Sequence, residues 1–346
     1  MSKRKLTRQQ VWRIEKIQTE RLERASRHKD EIQELLDSGE LGGTQAGRVV
    51  ARFGKQVEVV AVDALGQPAS DAVRCHLRSN LTSLVTGDNV VFQTTADSAI
   101  VVACRPRSNV LERPDQRGMI KAMAANVDQL VIVTALEPAP QSELLDRYLA
   151  AAEVARIAPL VVINKVDLLL KSEPKRKFLI SIRNLYKRIG YRVVETTTKE
   201  TGGLAEIAEH LINKSSVFIG QSGVGKSSLV QSLLPDEKIR VGHLHQQTRL
   251  GRHTTSTARL YQFAESGFII DSPGIRDFGL EQISRSDIEY GFIDIRQFSS
   301  QCRFRDCRHR QEPGCAVIDA VEKGSLSRRR LESFHRILET LSGGNA

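Results

Sequence analysis

No apolar run in this sequence approaches the ~18 residues that a membrane helix needs, so a membrane-spanning role is excluded. The N-terminus is rich in Lys and Arg, but no apolar stretch follows it, so it does not read as a secretory signal. The sequence also lacks internal repeats and low-complexity tracts. Five cysteines are too few and odd in number for a disulfide framework, and in a chain read as cytoplasmic they argue for metal binding. Acid is missing from one long stretch: nothing negative lies between Glu237 and Glu265, while Lys238, Arg240, Arg249, Arg252 and Arg259 fall inside it.

What remains is a chain of 346 residues, long enough for two or three domains, with 40% hydrophobic and 27% charged residues. That composition predicts a soluble, globular protein. The net charge of +10 favours a polyanionic partner, and nucleic acid is the default. Residues 1–40 form a basic extension with ten Lys/Arg against three Glu through Lys29. Its apolar face is weak, which suits an arm that orders on an RNA phosphate surface.

From residue 45 to 106 the pattern becomes short and β-rich. Strands are predicted over 47–53, 56–62, 73–77, 88–94 and 99–104, with Cys75 and Cys104 as buried thiols. Five short strands suit a small closed barrel of the OB type, although composition does not separate it from an SH3-like barrel. Residues 105–118 read as a linker. From Asp128 onward apolar strands (129–134, 159–163, 191–195, 215–219) alternate with amphipathic helices (141–156, 174–188, 203–212, 226–234). This indicates a parallel sheet covered on both faces.

Gly220, Gln221, Ser222, Gly223, Val224, Gly225, Lys226, Ser227 and Ser228 spell the phosphate-binding loop G-x-x-x-x-G-K-[ST] between a strand and a helix. The glycines let backbone N–H groups point inward, and the helix N-terminus adds positive potential. Lys226 is expected to reach the β- and γ-phosphates, and Ser227 to ligate Mg²⁺. Asp271, Ser272, Pro273 and Gly274 follow the apolar strand 267–270. There Asp271 would hold the Mg²⁺ shell and Gly274 would sense the γ-phosphate.

Asn164, Lys165, Val166 and Asp167 follow another apolar strand and match N-K-x-D. A carboxylate can accept hydrogen bonds from guanine N1–H and its 2-amino group. Adenine would leave it unpaired at a cost of about 1–3 kcal/mol. Asp167 is therefore the guanine selector, with Asn164 bracing the loop and Lys165 stacking along the ring. Thr197 and Thr198, at the end of the next strand, can approach guanine O6 through backbone N–H. The usual order of these motifs begins with the phosphate loop; here the base motif comes first, so the GTPase domain (107–290) is circularly permuted. The switch-like segment then runs directly into a C-terminal module, 291–346.

That module carries Cys302, Cys307, His309 and Cys315. Three thiolates and one imidazole make a closed Cys₃His set, typical of structural zinc. Arg303, Arg305, Arg308 and Arg310 alternate with the ligands and present a basic surface.

Together the permuted N-K-V-D, the phosphate loop, the G-R-H-T-T string at 251–255, D-S-P-G-I-R-D-F-G at 271–279 and the C-x4-C-x-H-x5-C knuckle resemble the ribosome small-subunit-dependent GTPase A family. The resemblance implies three parts: an all-β OB barrel, an α/β circularly permuted P-loop GTPase domain and a small α-rich zinc-binding domain. It implies GTP with Mg²⁺, one structural Zn²⁺, and a partner in the small (30S) ribosomal subunit and its rRNA. Members bind that particle late in assembly, hydrolyse GTP on it and leave, assisting release of assembly factors. Gly274 is followed by Ile275 rather than a water-orienting Gln, and the resemblance points to His253 for that catalytic role. Thr254 or Thr255 would complete the Mg²⁺ shell. The chain is expected to be a cytoplasmic monomer off the ribosome. Rivals are an RNA chaperone that uses GTP only as a ligand, and a small-molecule kinase.

Overall fold

The computed structural model describes residues 43–342 except 55, 78–80, 82, 95–98, 115–117, 139–141, 236–257, 265 and 272–283. The basic extension, His253, Thr254, Thr255, Gly274 and Ile275 lie outside the described residues.

The first five strands are β1 (Thr44–Phe53), β2 (Gln56–Ala61), β3 (Val73–Leu77), β4 (Asn89–Thr94) and β5 (Ala99–Cys104). β1 pairs with both β2 and β4, so the strands close in the order β1-β2-β3-β5-β4. β3 and β5 run parallel; the other neighbours are antiparallel. This is an OB-like barrel, which resolves the alternative that composition left open. β1 serves two partners because its register shifts between Val49 and Ala51, where a bulge bends the strand. Val49, Val57, Val59, Cys75, Phe92 and Val101 fill the interior. Gly47 lies under Phe92, where a Cβ would meet Val59 Cγ1 at 2.4 Å. Cys104 departs from expectation only in degree: paired with the interior Val90 it packs against the barrel core, but at the end of β5 it is half-buried.

The stretch predicted to be a linker contains a hairpin, β6 (Val110–Pro114) with β7 (Ile120–Ala125). Its strand signal is weak because, among the described side chains of β6, Leu111 alone is fully buried, and a proline closes that strand.

Four further strands, β8 (Gln129–Ala135), β9 (Ala158–Asn164), β10 (Arg192–Thr196) and β11 (Ser215–Ile219), alternate with four helices. These are α1 (Ser142–Ala155), α2 (Glu173–Ile189), α3 (Ala205–Leu211) and α4 (Lys226–Leu233). β12 (Arg259–Phe263) and β13 (Gly267–Asp271) complete a sheet of order β10-β9-β8-β11-β13-β12, parallel except for the edge strand β12. Strand alternation divides the core. Leu130, Ile132, Val161 and Ile163 pack against Leu149 of α1 and Ile182 and Tyr186 of α2. Val131, Val133, Leu160 and Val162 pack on the opposite face with Ile207 and Leu211 of α3 and Leu229 of α4.

The barrel joins the sheet at its β12 edge. Ala51 pairs with Arg259, Arg259 Nη1 lies 2.9 Å from Glu58 Oε2, and the buried Thr86 hydroxyl donates to the Ala258 carbonyl at 2.8 Å.

The C-terminal module is small and helical: α5 (Arg285–Gly291), α6 (Ile293–Ser299), α7 (Ala316–Glu322) and α8 (Arg328–Ser342). Ser284 caps α5 in a reciprocal capping box with Asp287. Ile288, Phe292, Ile295, Val317, Phe334 and Ile337 form a core that includes Ala150 and Ala151 of α1. Gly291 permits that contact, since a Cβ there would lie 2.7 Å from the Ala150 carbonyl oxygen. The module therefore packs directly on a GTPase helix.

Candidate nucleotide and metal sites

Because β8, β9, β10, β11 and β13 are parallel, their carboxyl ends share one edge, the edge where open α/β sheets bind ligands. Asn164 ends β9, Thr196 ends β10, Gly220 follows β11 and Asp271 ends β13. Motifs permuted in the chain thus meet in space, since a strand end is placed by its neighbours in the sheet, whatever the order of the loops.

The phosphate loop turns on glycine. Gly220, Gly223 and Gly225 have φ of 141°, 84° and 96°. At Gly220 a Cβ would sit 2.1 Å from the Val133 carbonyl oxygen; at Gly225 it would sit 2.5 Å from Asn164 Nδ2. No other residue satisfies both the backbone and the space. Gly225 leads into α4 at Lys226. Lys226 Nζ donates to the Gly220 and Gln221 carbonyls at 2.6 and 2.7 Å, so its ammonium lies over the loop it springs from.

The base motif is tied to that loop by two side chains. Asn164, 4% exposed, donates from Nδ2 to the Val224 carbonyl at 2.9 Å and accepts from Thr196 Oγ1 at 3.2 Å. Lys165 adopts φ 63° and donates from Nζ to the Glu137 carbonyl at 2.9 Å and to Gly223 at 2.7 Å. Glu137 in turn pairs with Lys175 of α2. Asn164 and Lys165 so fasten the base side of the cleft to the phosphate side.

Asp167 lies one residue into a 3₁₀ turn, Val166–Lys171, and accepts from Thr197 Oγ1 at 2.6 Å. The same hydroxyl accepts the Lys199 N–H at 3.1 Å, and Gly203 passes close enough that a Cβ would lie 2.4 Å from the Thr197 carbonyl oxygen. Thr197 is 2% exposed. Its side chain holds Asp167, a task that a reading of Thr197 and Thr198 as backbone contacts to O6 did not include. Nothing in sequence signals it, since the partners are 30 residues apart.

Cys302, Cys307, His309 and Cys315 bring their ligand atoms within 4.8 Å of one another. Cys302 Sγ is 3.9 Å from Cys315 Sγ, and His309 Nδ1 is 3.6 and 3.4 Å from those two sulfurs. A tetrahedral ion with ~2.3 Å bonds to sulfur and ~2.0–2.1 Å to nitrogen requires S···S near ~3.8 Å and S···N near ~3.5 Å. The donor set fits such an ion through Nδ1. The other ring nitrogen, Nε2, faces Glu289 Oε1 at 3.5 Å, too long for a good hydrogen bond but suited to orienting the ring. Burial pushes the Cys307 thiol up to about 12 and raises Cys315 too, so metal binding there must expel protons. Arg303, Arg305, Arg308 and Arg310 are exposed around ligands of which Cys307, His309 and Cys315 are buried and Cys302 half-buried, as their alternation predicts. Glu312 closes the knuckle by accepting the N–H groups of Arg308 and Arg310 at 2.7 and 2.8 Å.

Residues 104–281 match the family model of the RsgA GTPase. The chain is 51% identical over 343 residues to a small ribosomal subunit biogenesis GTPase RsgA of Chromohalobacter salexigens, covering 99% of both. It is 49% identical over 342 residues to the protein of that name in Azotobacter vinelandii, covering 99% of this chain and 98% of the relative. Among solved structures it is similar to YloQ, a circularly permuted GTPase, with TM-score 0.70 and 30% identity over 87% of this chain and 96% of that one. It is also similar to YjeQ from Thermotoga maritima, with TM-score 0.69 and 29% identity over 87% and 99%. With its strand ends, phosphate loop and base motif in permuted order on one sheet, this chain belongs to the RsgA GTPase family and is a GTP hydrolase.

Proposed function

We propose that this GTPase binds the small ribosomal subunit and its rRNA, hydrolyses GTP when that particle stimulates it, and then leaves, assisting late maturation and the release of assembly factors. The observation that carries this reading is full-length likeness to proteins named for small-subunit biogenesis, which extends through the barrel and the Cys₃His module as well as the GTPase sheet. A net charge of +10 supports an RNA partner.

Within the site, Asp167 reads guanine, Asn164 and Lys165 brace the base and the phosphate loop, and residues 220–228 cradle the phosphates. Ser227 and Asp271 hold Mg²⁺ with Thr254 or Thr255, and Gly274 responds to the γ-phosphate. His253 orients the attacking water, supplying the role for which Ile275 has no chemistry. The Cys₃His cluster takes one structural zinc. The protein works in the cytoplasm as a monomer off the ribosome, with parts at 1–40, 45–106, 107–290 and 291–346.

The test is GTP turnover by the purified protein alone, with small subunits, with large subunits, and with ATP replacing GTP. Strong stimulation by small subunits alone is expected. Guanine-selective turnover that no ribosomal particle raises would remove the ribosomal assignment.

A further inference from the structure

A cleft of about 530 Å³ lies outside the nucleotide site, between α2 and the helices of the C-terminal module. Arg188 enters it from α2, and Arg328 and Arg329 from the first turn of α8. Among the described residues Asp294 is its one lining carboxylate, and that group is already held by Arg330 through two hydrogen bonds of 2.9 Å. Arg188 and Arg328 are exposed and have no ion-pair partner among the described residues. Positive charge in the cleft is therefore uncompensated.

The charge continues along α2. Helical spacing places Lys177, Phe178, Ser181, Leu185 and Arg188 on one stripe, since steps of three, four and eleven residues return to the same face. Over that stripe the charged side chains, Lys177 and Arg188, are both positive. Phe178 is 40% exposed, and the Arg329 guanidinium stands 5.7 Å from its ring centroid, linking stripe to cleft.

We infer that this cleft is a phosphate-backbone site for a single RNA strand, with Arg188 and Arg328 on successive phosphates and Phe178 as a stacking surface at its mouth. Guanidinium forks match phosphate oxygens bidentately, and a cationic groove flanked by an aromatic ring is the arrangement that holds a single strand without reading its sequence. An acidic protein segment would use the cations but leave the exposed ring without a flat partner. In taking RNA as occupant the inference rests on the ribosomal reading above; the charge of the cleft does not. Strand and nucleotide can be bound together, because the cleft lies beside α2 and the C-terminal helices while the nucleotide site lies at the strand ends.

The experiment is arginine footprinting of the full chain with phenylglyoxal, read by peptide mass spectrometry, with and without an oligouridylate of about twelve nucleotides. Protection of Arg188 and Arg328 by several-fold is expected. The R188A/R328A double variant should lower the slope of log affinity against log salt by about 1.4, two contacts at ~0.7 each for a single strand. Equal labelling with and without RNA overturns the site, as does equal protection by polyglutamate at the same charge concentration. A parallel arm uses purified small subunits. If the wild-type chain does not bind them while oligouridylate still protects the arginines, the ribosomal reading fails and the cleft stands. If it binds them and oligouridylate leaves the arginines unprotected, the cleft alone fails.

Discussion

Arg330 of α8 donates from Nη1 to Asp146 Oδ1 of α1, and both side chains are 1% exposed. The same guanidinium is bidentate to Asp294 of α6 and lies 4.3 Å from the Phe292 centroid. Asp146 also accepts from the buried Tyr186 hydroxyl at 2.6 Å. One cation thus closes a polar network across the boundary between the GTPase sheet and the metal-binding module. A buried pair of this kind adds little net stability over an apolar core of equal fit, but losing one partner strands the others. Its value is geometric: it fixes where the C-terminal module sits on α1.

Arg330→Met should accordingly destabilise the chain by about 3–5 kcal/mol, because Asp146 is left buried, and Asp294 half-buried, without their cation. Chemical denaturation checks this. The companion change Asp146→Asn in the Arg330→Met background should recover part of the loss. A double variant no better than the single one would argue against the network.

Asp167→Asn should weaken GTP binding by about tenfold to a hundredfold, since an amide cannot accept from both guanine donors. Thr197→Val should weaken it less, by loosening Asp167, while Thr197→Ser keeps the hydroxyl and stays near wild type. Equilibrium titration with a fluorescent GDP analogue reads all three. If Thr197→Val bound as tightly as wild type, the hydroxyl would have no part in positioning Asp167.

At Gly225 an added methyl meets Asn164 Nδ2 at 2.5 Å on a backbone of φ 96°. Gly225→Ala should therefore abolish measurable nucleotide binding, with the barrel and the metal module still folded. Circular dichroism and nucleotide titration together test this; a variant that bound GTP normally would show that the loop has another conformation to use.

Removal of the metal should unfold the C-terminal module locally. The purified chain is expected to carry about one tetrahedral ion, and Cys302→Ser should lose it along with protease resistance beyond residue 284. Elemental analysis and limited proteolysis decide. A full complement of metal in Cys302→Ser would exclude that sulfur as a ligand.

Tyr186 and Tyr191 should not ionise in the folded chain. Burial, reinforced at Tyr186 by the Asp146 carboxylate, raises both phenols above their ordinary value. A raised folded pKa means that stability is full below the ordinary phenol pKa of about 10 and falls as pH rises through it. Phenolate absorbance should show Tyr186 and Tyr191 titrating only with unfolding.

The phosphate loop, Asn164 to Asp167, the Cys₃His set and the alternation of the parallel sheet were legible in sequence because each depends on local spacing. Hydrophobic periodicity marked every parallel strand of the GTPase sheet. Hairpin β6–β7 reads as a linker in sequence and β12 carries no clear signal there, because edge and two-stranded elements bury too few side chains to imprint an alternating pattern.

Long-range partners leave no such mark. A sequence fixes what Thr197, Glu289, Asp146 and Arg330 can donate or accept, but not which of them meet. Thr197 finds Asp167 across 30 residues and Arg330 finds Asp146 across 184. The chemistry of this protein, guanine selection and a tetrahedral donor set, was determined by residue type at short spacing. The closure of the barrel, the meeting of permuted motifs at one sheet edge, the seat of the metal module on α1 and the cationic cleft beside α2 were decided by packing, where contacts distant in the chain must all be satisfied at once.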